Sequence, residues 1–349
     1  MQCGDWQYNN SIDSNGEDIM SVQITIIGMG QVGTSIGLAL AEQKSIKRVG
    51  HDKDYGRARA AHKAGAVDET NVNLPSSVSN ANIVLLCLPL SEIRETLEYI
   101  RRDLQEGTVI LDTAPAKATV AAWVSELVPQ GRHYVGLSPA AGANYLHGNE
   151  LGVEAARADL FKNGLFLVSA PFGTPGEAVK LATDLIDLLG AQALFADSVE
   201  ADGLLASTHL LPQLAAAALL DATVDQPGWV EARKVAARPY ATATAALAYH
   251  DTAQSLSKTA LGNRENTLRV LDAYMTSLQK LRDEVERGDD KSVTEFLDDA
   301  VKARDRWLNE RTKADWQNIT AERADSSSFS ERLNHMFLGR LMERNKKRK

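Results

Sequence analysis

The stretch Ile24–Leu40, ITIIGMGQVGTSIGLAL, sets Gly28, Gly30 and Gly33 directly behind a run of apolar and β-branched residues. Val22–Ile27 is apolar enough for a strand buried on both faces, as a parallel sheet requires. Beyond the glycines, Val32, Ile36, Ala39 and Leu40 recur at helical spacing. The glycines therefore occupy a strand-to-helix turn. There Gly28 makes the turn, Gly30 lets main chain approach a pyrophosphate and Gly33 permits close helix packing, while the amides of Met29, Gln31 and Val32 face the phosphates at a helix N-terminus. A dinucleotide site also needs an acidic residue about 20 positions on, ending a second strand, to bond the ribose. KRVGHDKD supplies it as Asp52. A carboxylate repels a 2′-phosphate, so NAD is the expected cofactor; neighbouring Lys53 and Arg57 keep NADP open.

The remainder of the chain fits around this turn. Short apolar runs at 48–51, 83–88, 108–111, 134–137, 165–169 and 192–195 alternate with helical patterns such as SEIRETLEYIRRDL and PGEAVKLATDLIDLLG. Such alternation means βαβ units, hence a Rossmann-type, doubly wound, mostly parallel sheet. After Asp197 the pattern is Ala- and Leu-rich and helical, so the expected organisation is a polar, disordered tail over 1–20, a nucleotide-binding domain over 21–197, an all-α domain over 198–312 and an extension over 313–349. Met20, immediately before the first strand, is a candidate natural start. The helix EADGLLASTHLLPQLAAAALLDAT is too apolar for a solvated face, which predicts burial between domains or subunits and a homodimer through the helical half. The extension carries SERLNHMFLGRLMERNKKRK, an amphipathic helix with Leu333, Met336, Phe337 and Leu341 on one face and a basic end. It reads as a strap across the chain or its partner, with a membrane-surface or acidic-partner role as the alternative.

Composition narrows the class. A net charge of −8 argues against general nucleic-acid binding, which needs a basic face. The chain has only two cysteines, Cys3 and Cys87, the latter in a buried strand, so no disulfide framework is implied and a reducing cytoplasm fits. No signal-peptide pattern opens the chain and no run of 18 apolar residues argues for a membrane span. His51, His62, His133, His250 and His335 show no metal-ligand spacing, and no metal site is predicted.

Ligands of open α/β sheets bind beyond the carboxyl ends of the strands. Cys87, Leu88 and Pro89 then border the ribose and nicotinamide. Asp112, Thr113 and Lys117 follow in LDTAPAK, and Ser138 in VGLSPAAG.

In this order the fingerprint, LDTAPAK, VGLSPAAG, VEAARADLF and the Asp-bearing helix ADGLLASTHLLPQLAAA resemble the prephenate and arogenate dehydrogenase family over roughly residues 22–312. That resemblance implies an NAD(P)-dependent enzyme of tyrosine biosynthesis: a Rossmann domain, a helical dimerisation domain, and oxidation of a ring alcohol by hydride transfer coupled to decarboxylation. Four of the family's catalytic elements are altered. The family's His-Pro-x-Ala-Gly is Ser138-Pro139-Ala140-Ala141-Gly142, and serine is no free base near neutral pH. Asp-x-x-Ser-x-Lys keeps Lys117 but has Pro115 for the serine. Ser-His-Leu-Pro-His falls on His209-Leu210-Leu211-Pro212-Gln213. The arginine of Gly-Gly-Phe-Arg-Asp has only the displaced Arg238 as a counterpart.

Two chemistries remain open. In one, His209 or His147 takes the proton while Lys117 or Arg238 holds a substrate carboxylate, with Ser138, Gln213 and Asn263 lining the pocket. In the other, the cofactor site serves a different hydroxy or keto acid. A third reading is an NAD-binding regulatory protein without turnover.

Overall fold

In the computed structural model, residues 10–12, 18–20, 22–148, 151–249, 252–314 and 316 are described. The basic amphipathic helix expected near the C-terminus lies outside them. Strands β1 (Asn10–Ile12) and β2 (Asp18–Met20) pair antiparallel, Asn10 opposite Met20. This corrects the reading of 1–20 as wholly disordered: backbone pairing needs no apolar side chains.

All six residues of β3 (Val22–Ile27) are buried, as a central parallel strand demands. Seven more strands join it: β4 (Ile46–His51), β5 (Glu69–Thr70), β6 (Ile83–Leu86), β7 (Val109–Asp112), β8 (His133–Ala140), β9 (Leu165–Ser169) and β10 (Gln192–Phe195). Their spatial order is β10-β9-β8-β7-β6-β3-β4-β5. Every neighbouring pair is parallel except β8 and β9, which run antiparallel from Gly136↔Ser169 to Ala140↔Leu165. Strand order reverses between β3 and β6, which opens a crevice beyond their carboxyl ends.

Helices cover both faces. Those of α1 (Gln31–Ala39), α2 (Tyr55–Lys63) and α6 (Gly176–Leu188) bury Ile36, Leu40, Ala58, Ala61, Leu181 and Leu185 in one core. On the other face, α3 (Leu74–Val78), α4 (Leu90–Ile100) and α5 (Lys117–Leu127) bury Val78, Ile93, Leu97 and Val120.

From Ser198 onward no strand occurs among the described residues. The helix expected there as one piece is α7 (Ser198–Leu205), a π-helical turn over Ala206–Leu210, and α8 (Leu211–Thr223). Pro212 has no N–H for the ladder and crowds the carbonyl one turn back; the widened turn just before it absorbs that conflict. Then come α9 (Trp229–Val235), α10 (Arg238–Thr244), α11 (Ala253–Gly262), α12 (Arg264–Arg287) and α13 (Asp290–Lys313).

The two halves are joined by a side chain. Asp202 of α7 is buried and accepts hydrogen bonds from the backbone N–H of Lys117, at 2.6 Å, and of Ala118, at 3.2 Å. Helix α5 has no cap from its own flanking residue. Its unpaired first-turn donors are thus satisfied from across the interface. Burial raises the Asp202 carboxyl above its usual range, against the pull of those N–H groups.

Candidate dinucleotide crevice

Each glycine of the fingerprint has its own reason. Gly28 has φ +97°, and a side chain there would overlap the Cys87 carbonyl. Gly33 sits inside α1, where a side chain would overlap the Gly28 carbonyl. At Gly30 an added Cβ would meet nothing within 4 Å. Packing therefore requires the outer two, while the middle one borders open space. Gly30 is also the N-cap of α1 and provides no side-chain cap. The first-turn N–H groups of α1 are left for a ligand, and the helix dipole makes that ligand an anion.

Asp52 emerges from β4 beside this turn. One of its oxygens accepts from Met29 N at 2.8 Å and the other from Asp54 N at 2.8 Å. The carboxylate is thereby aimed before any ligand arrives, and each oxygen retains a lone pair for a ribose hydroxyl. Arg57 lies 3.8 Å from Asp52, and Lys53 is paired with Glu92 at 2.5 Å. Lys53 is thus engaged by a carboxylate of α4.

On the β6 side, Cys87, Leu88 and Pro89 are half-buried. Burial pushes the Cys87 thiol up to about 12; a hydrogen bond with Thr113 pulls the other way and the charge of Asp112 adds to the rise. Thr113 is tied to the Leu86 carbonyl through its backbone N–H at 3.0 Å. Gln31 of α1 donates to the Ala155 carbonyl at 3.3 Å, and Arg157 N donates to Ser35 Oγ at 3.0 Å. The VEAARADLF segment is in this way fastened along the first turns of α1. The structure brings together Gly28, Met29, Gly30, Gln31, Val32, Gly33, Asp52, Cys87 and Leu88 at one strand-end crevice.

The catalytic candidates fare differently. Lys117, expected to meet a substrate carboxylate, is fully buried. Its ammonium lies 2.9 and 2.8 Å from the two Asp112 oxygens and 2.8 Å from the Leu137 carbonyl. Side chains at a helix start tilt back towards the N-terminus, which turns Lys117 onto the end of β7. Burial lowers its pKa, opposed by the attraction of Asp112. Asp112 also accepts from Tyr134 Oη at 2.7 Å. Lys117 is a core ion pair, which corrects its proposed role.

Asn263 is likewise corrected. It is buried, donates to the Asp202 carbonyl at 2.7 Å and accepts from Asn266 at 2.9 Å, so its amide is consumed between α7 and α12. Arg238 is exposed on the first turn of α10, and no described residue of the crevice bonds to it. His209 and His147 are both exposed, the former in the π-helical turn.

Ser138 on β8 is buried, with its Oγ 3.3 Å from the Ala114 carbonyl. Gln213 is 4% exposed, and its Oε1 has no hydrogen-bond partner among the described residues. An unsatisfied buried acceptor calls for an explanation. Asp202 enters the sequence reading only as the acid of an apolar helix, with no role given to it, and Arg311 at the end of α13 gives no sequence signal. Arg311 donates to the Ala141 carbonyl and stacks 5.5 Å over the Trp316 ring.

Residues 36–195 match the model of the prephenate dehydrogenase nucleotide-binding domain. The chain is 25% identical over 295 residues to a prephenate dehydrogenase of Bacillus subtilis (strain 168), covering 82% of this chain and 76% of that one. It is 24% identical over 290 residues to a cyclohexadienyl dehydrogenase of Zymomonas mobilis, covering 80% and 94%. Among solved structures, the prephenate dehydrogenase from A. aeolicus in complex with hydroxyphenyl propionate and NAD+ shares the fold with a TM-score of 0.71 at 20% identity, covering 82% of this chain and 98% of that one. The Synechocystis arogenate dehydrogenase does so at 0.64 and 21%, covering 82% and 100%. The likeness to prephenate dehydrogenase is thus carried by the nucleotide-binding domain over residues 36–195 and extends, in these relatives, through the helical half.

Proposed function

We propose that the chain is an NAD-dependent dehydrogenase that oxidises the ring alcohol of a cyclohexadienyl carboxylic acid, prephenate or arogenate, with loss of carbon dioxide. The observation that carries the proposal is the open space over Gly30, at an uncapped helix N-terminus, with the Asp52 carboxylate already oriented beside it. A Cβ would fill that space, and a pyrophosphate fits it. The amides of Gly30–Gly33 would hold the phosphates, Asp52 the adenosine ribose, and Leu88, Pro89 and Thr113 would border the nicotinamide. Bound there, a nicotinamide would supply the hydride acceptor for the substrate alcohol.

The rest of the chemistry falls to the chain. Decarboxylation and aromatisation supply the driving force within the substrate, so the protein has to orient the ring and accept a hydrogen bond from the reacting hydroxyl. Gln213, at the place of a family histidine, offers its unpartnered Oε1 as that acceptor. It holds the hydroxyl in line without becoming the proton's final base. Buried Ser138 favours a second reading, in which a hydroxy or keto acid of another shape is the substrate, because no histidine stands at the exit of β8.

The apolar stretch within Ser198–Thr223 is only 22% buried inside the chain. That supports a homodimer through this helix, since an apolar face of this length is otherwise left in water. The experiment is NADH formation from purified protein with NAD and either prephenate or arogenate, with carbon dioxide measured alongside. Turnover with equal yields of NADH and carbon dioxide supports the first reading. Turnover with other hydroxy acids alone moves the assignment to the second.

A further inference from the structure

Three cations are buried among the described residues: Arg48, Lys117 and Arg311. Arg48 is 2.5 Å from the Asp68 carboxylate, and Lys117 is 2.8 Å from that of Asp112. Arg311 has no carboxylate partner among the described residues. It donates an N–H to the Ala141 carbonyl and stacks over the Trp316 ring, and among the described residues it makes no other hydrogen bond or ion pair. A guanidinium stays charged at any physiological pH, and burying a cation against a single carbonyl leaves most of its lost hydration uncompensated. The other two sites show that this fold pairs its buried cations, which makes Arg311 the exception.

Its position adds meaning. Ala141 follows Ser138 by three residues along an extended strand end, a span of ~10 Å at most. That separation suits a ring acid whose ring lies beside Ser138 and whose carboxylate reaches Arg311. The other cations expected to meet that carboxylate do not reach it: Lys117 is spent on Asp112, and Arg238 is exposed on α10.

We propose that Arg311, held by the last turn of α13 against the Ala141 carbonyl just beyond β8, binds the carboxylate of the substrate and selects anionic over neutral ring compounds. The proposal deepens the dehydrogenase reading and rests on it. A planar fork presents two parallel N–H groups to a carboxylate, which a lysine ammonium cannot reproduce.

The test is calorimetric titration of the full chain, in the presence of NAD, with 3-(4-hydroxyphenyl)propanoate and with its neutral analogue 3-(4-hydroxyphenyl)propan-1-ol. Wild type is expected to prefer the acid by about tenfold or more, the worth of one charge-assisted pair. Arg311→Gln removes that preference by weakening the acid alone. Arg311→Lys keeps part of it, and decides the matter should the glutamine variant fail to fold. Equal binding of acid and alcohol by wild type, or an acid preference untouched in Arg311→Gln or, in its place, Arg311→Lys, overturns the proposal. NADH formation measured on the same samples reports separately on the dehydrogenase reading: turnover without acid preference removes Arg311 and keeps the enzyme.

Discussion

Replacing each glycine of the 28–33 turn by alanine, one at a time, separates packing from ligand binding. At Gly28 two costs combine: a positive φ, about 1–2 kcal/mol for an L-residue, and overlap with the Cys87 carbonyl, about 1–3 kcal/mol for a forced shift in a packed core. Gly28→Ala is therefore expected to lose ~2–5 kcal/mol of stability. At Gly33 two effects oppose one another. Alanine is the better helix former by ~1 kcal/mol, yet its Cβ would overlap the Gly28 carbonyl, and backbone yields less readily than a side-chain tip. Overlap wins, and Gly33→Ala loses ~1–2 kcal/mol. At Gly30, φ is −79° and nothing lies within 4 Å. Stability there changes by less than about 0.5 kcal/mol, since reduced unfolded-state entropy offsets the poorer cap. NAD affinity at this position nevertheless falls by about tenfold or more, ~1.4 kcal/mol, because the added methyl occupies phosphate space. Urea unfolding and calorimetric NAD titration of the three variants provide both axes. A Gly30→Ala protein that binds NAD like wild type, or a Gly33→Ala protein more stable than wild type, refutes this reasoning.

Other substitutions follow from the same geometry. Lys117→Met leaves Asp112 charged and unpaired in the core, so urea unfolding should show a loss of about 3–5 kcal/mol; pairing it with Asp112→Leu should restore much of that, a recovery a substrate-binding lysine would not show. Asp52→Asn keeps an acceptor for the Met29 N–H while removing the charge, so it should move cofactor preference towards NADP, read as the ratio of the two dissociation constants. In a Cys3→Ser background, Cys87 should resist iodoacetamide at pH 9 in the native protein and react readily in urea. Because the folded thiol keeps its proton to about 12 and the unfolded one to 9.0, the stability it contributes is complete below pH 9 and is lost as pH climbs towards 12. A native Cys87 that alkylates as fast as the denatured one contradicts that.

How far the sequence can be read depends on which physical term decides each feature. The strands β3, β4 and β6 to β9 were legible because burial leaves apolar runs, and β10 because Ala193, Leu194 and Phe195 are apolar although the last two are exposed at the sheet edge. The two residues of β5, Glu69 and Thr70, carry no such signal, since an edge strand is held by backbone bonds alone. The antiparallel turn from β8 to β9 was hidden too: its connection has no crossover helix, and residue pattern does not encode strand direction. In the crevice, Gly28, Gly33 and Asp52 stand together where their spacing in the sequence puts them, because a strand-to-helix turn and the next strand end bring those positions side by side. Lys117 was misread because a strand-exit position says nothing about which way a long side chain folds back. Arg311 and Asp202 act at sequence separations of 170 and 85 residues, where no local pattern can announce a partner.

The account turns on whether a dinucleotide lies in the crevice between β3 and β6. A crystal structure of the full chain grown with NAD tests this directly. The expected result is one nucleotide per chain, its pyrophosphate against the amides at Gly30–Gly33 and its adenosine ribose bonded to Asp52. A nucleotide bound elsewhere, or a crevice that stays empty at saturating NAD, contradicts it.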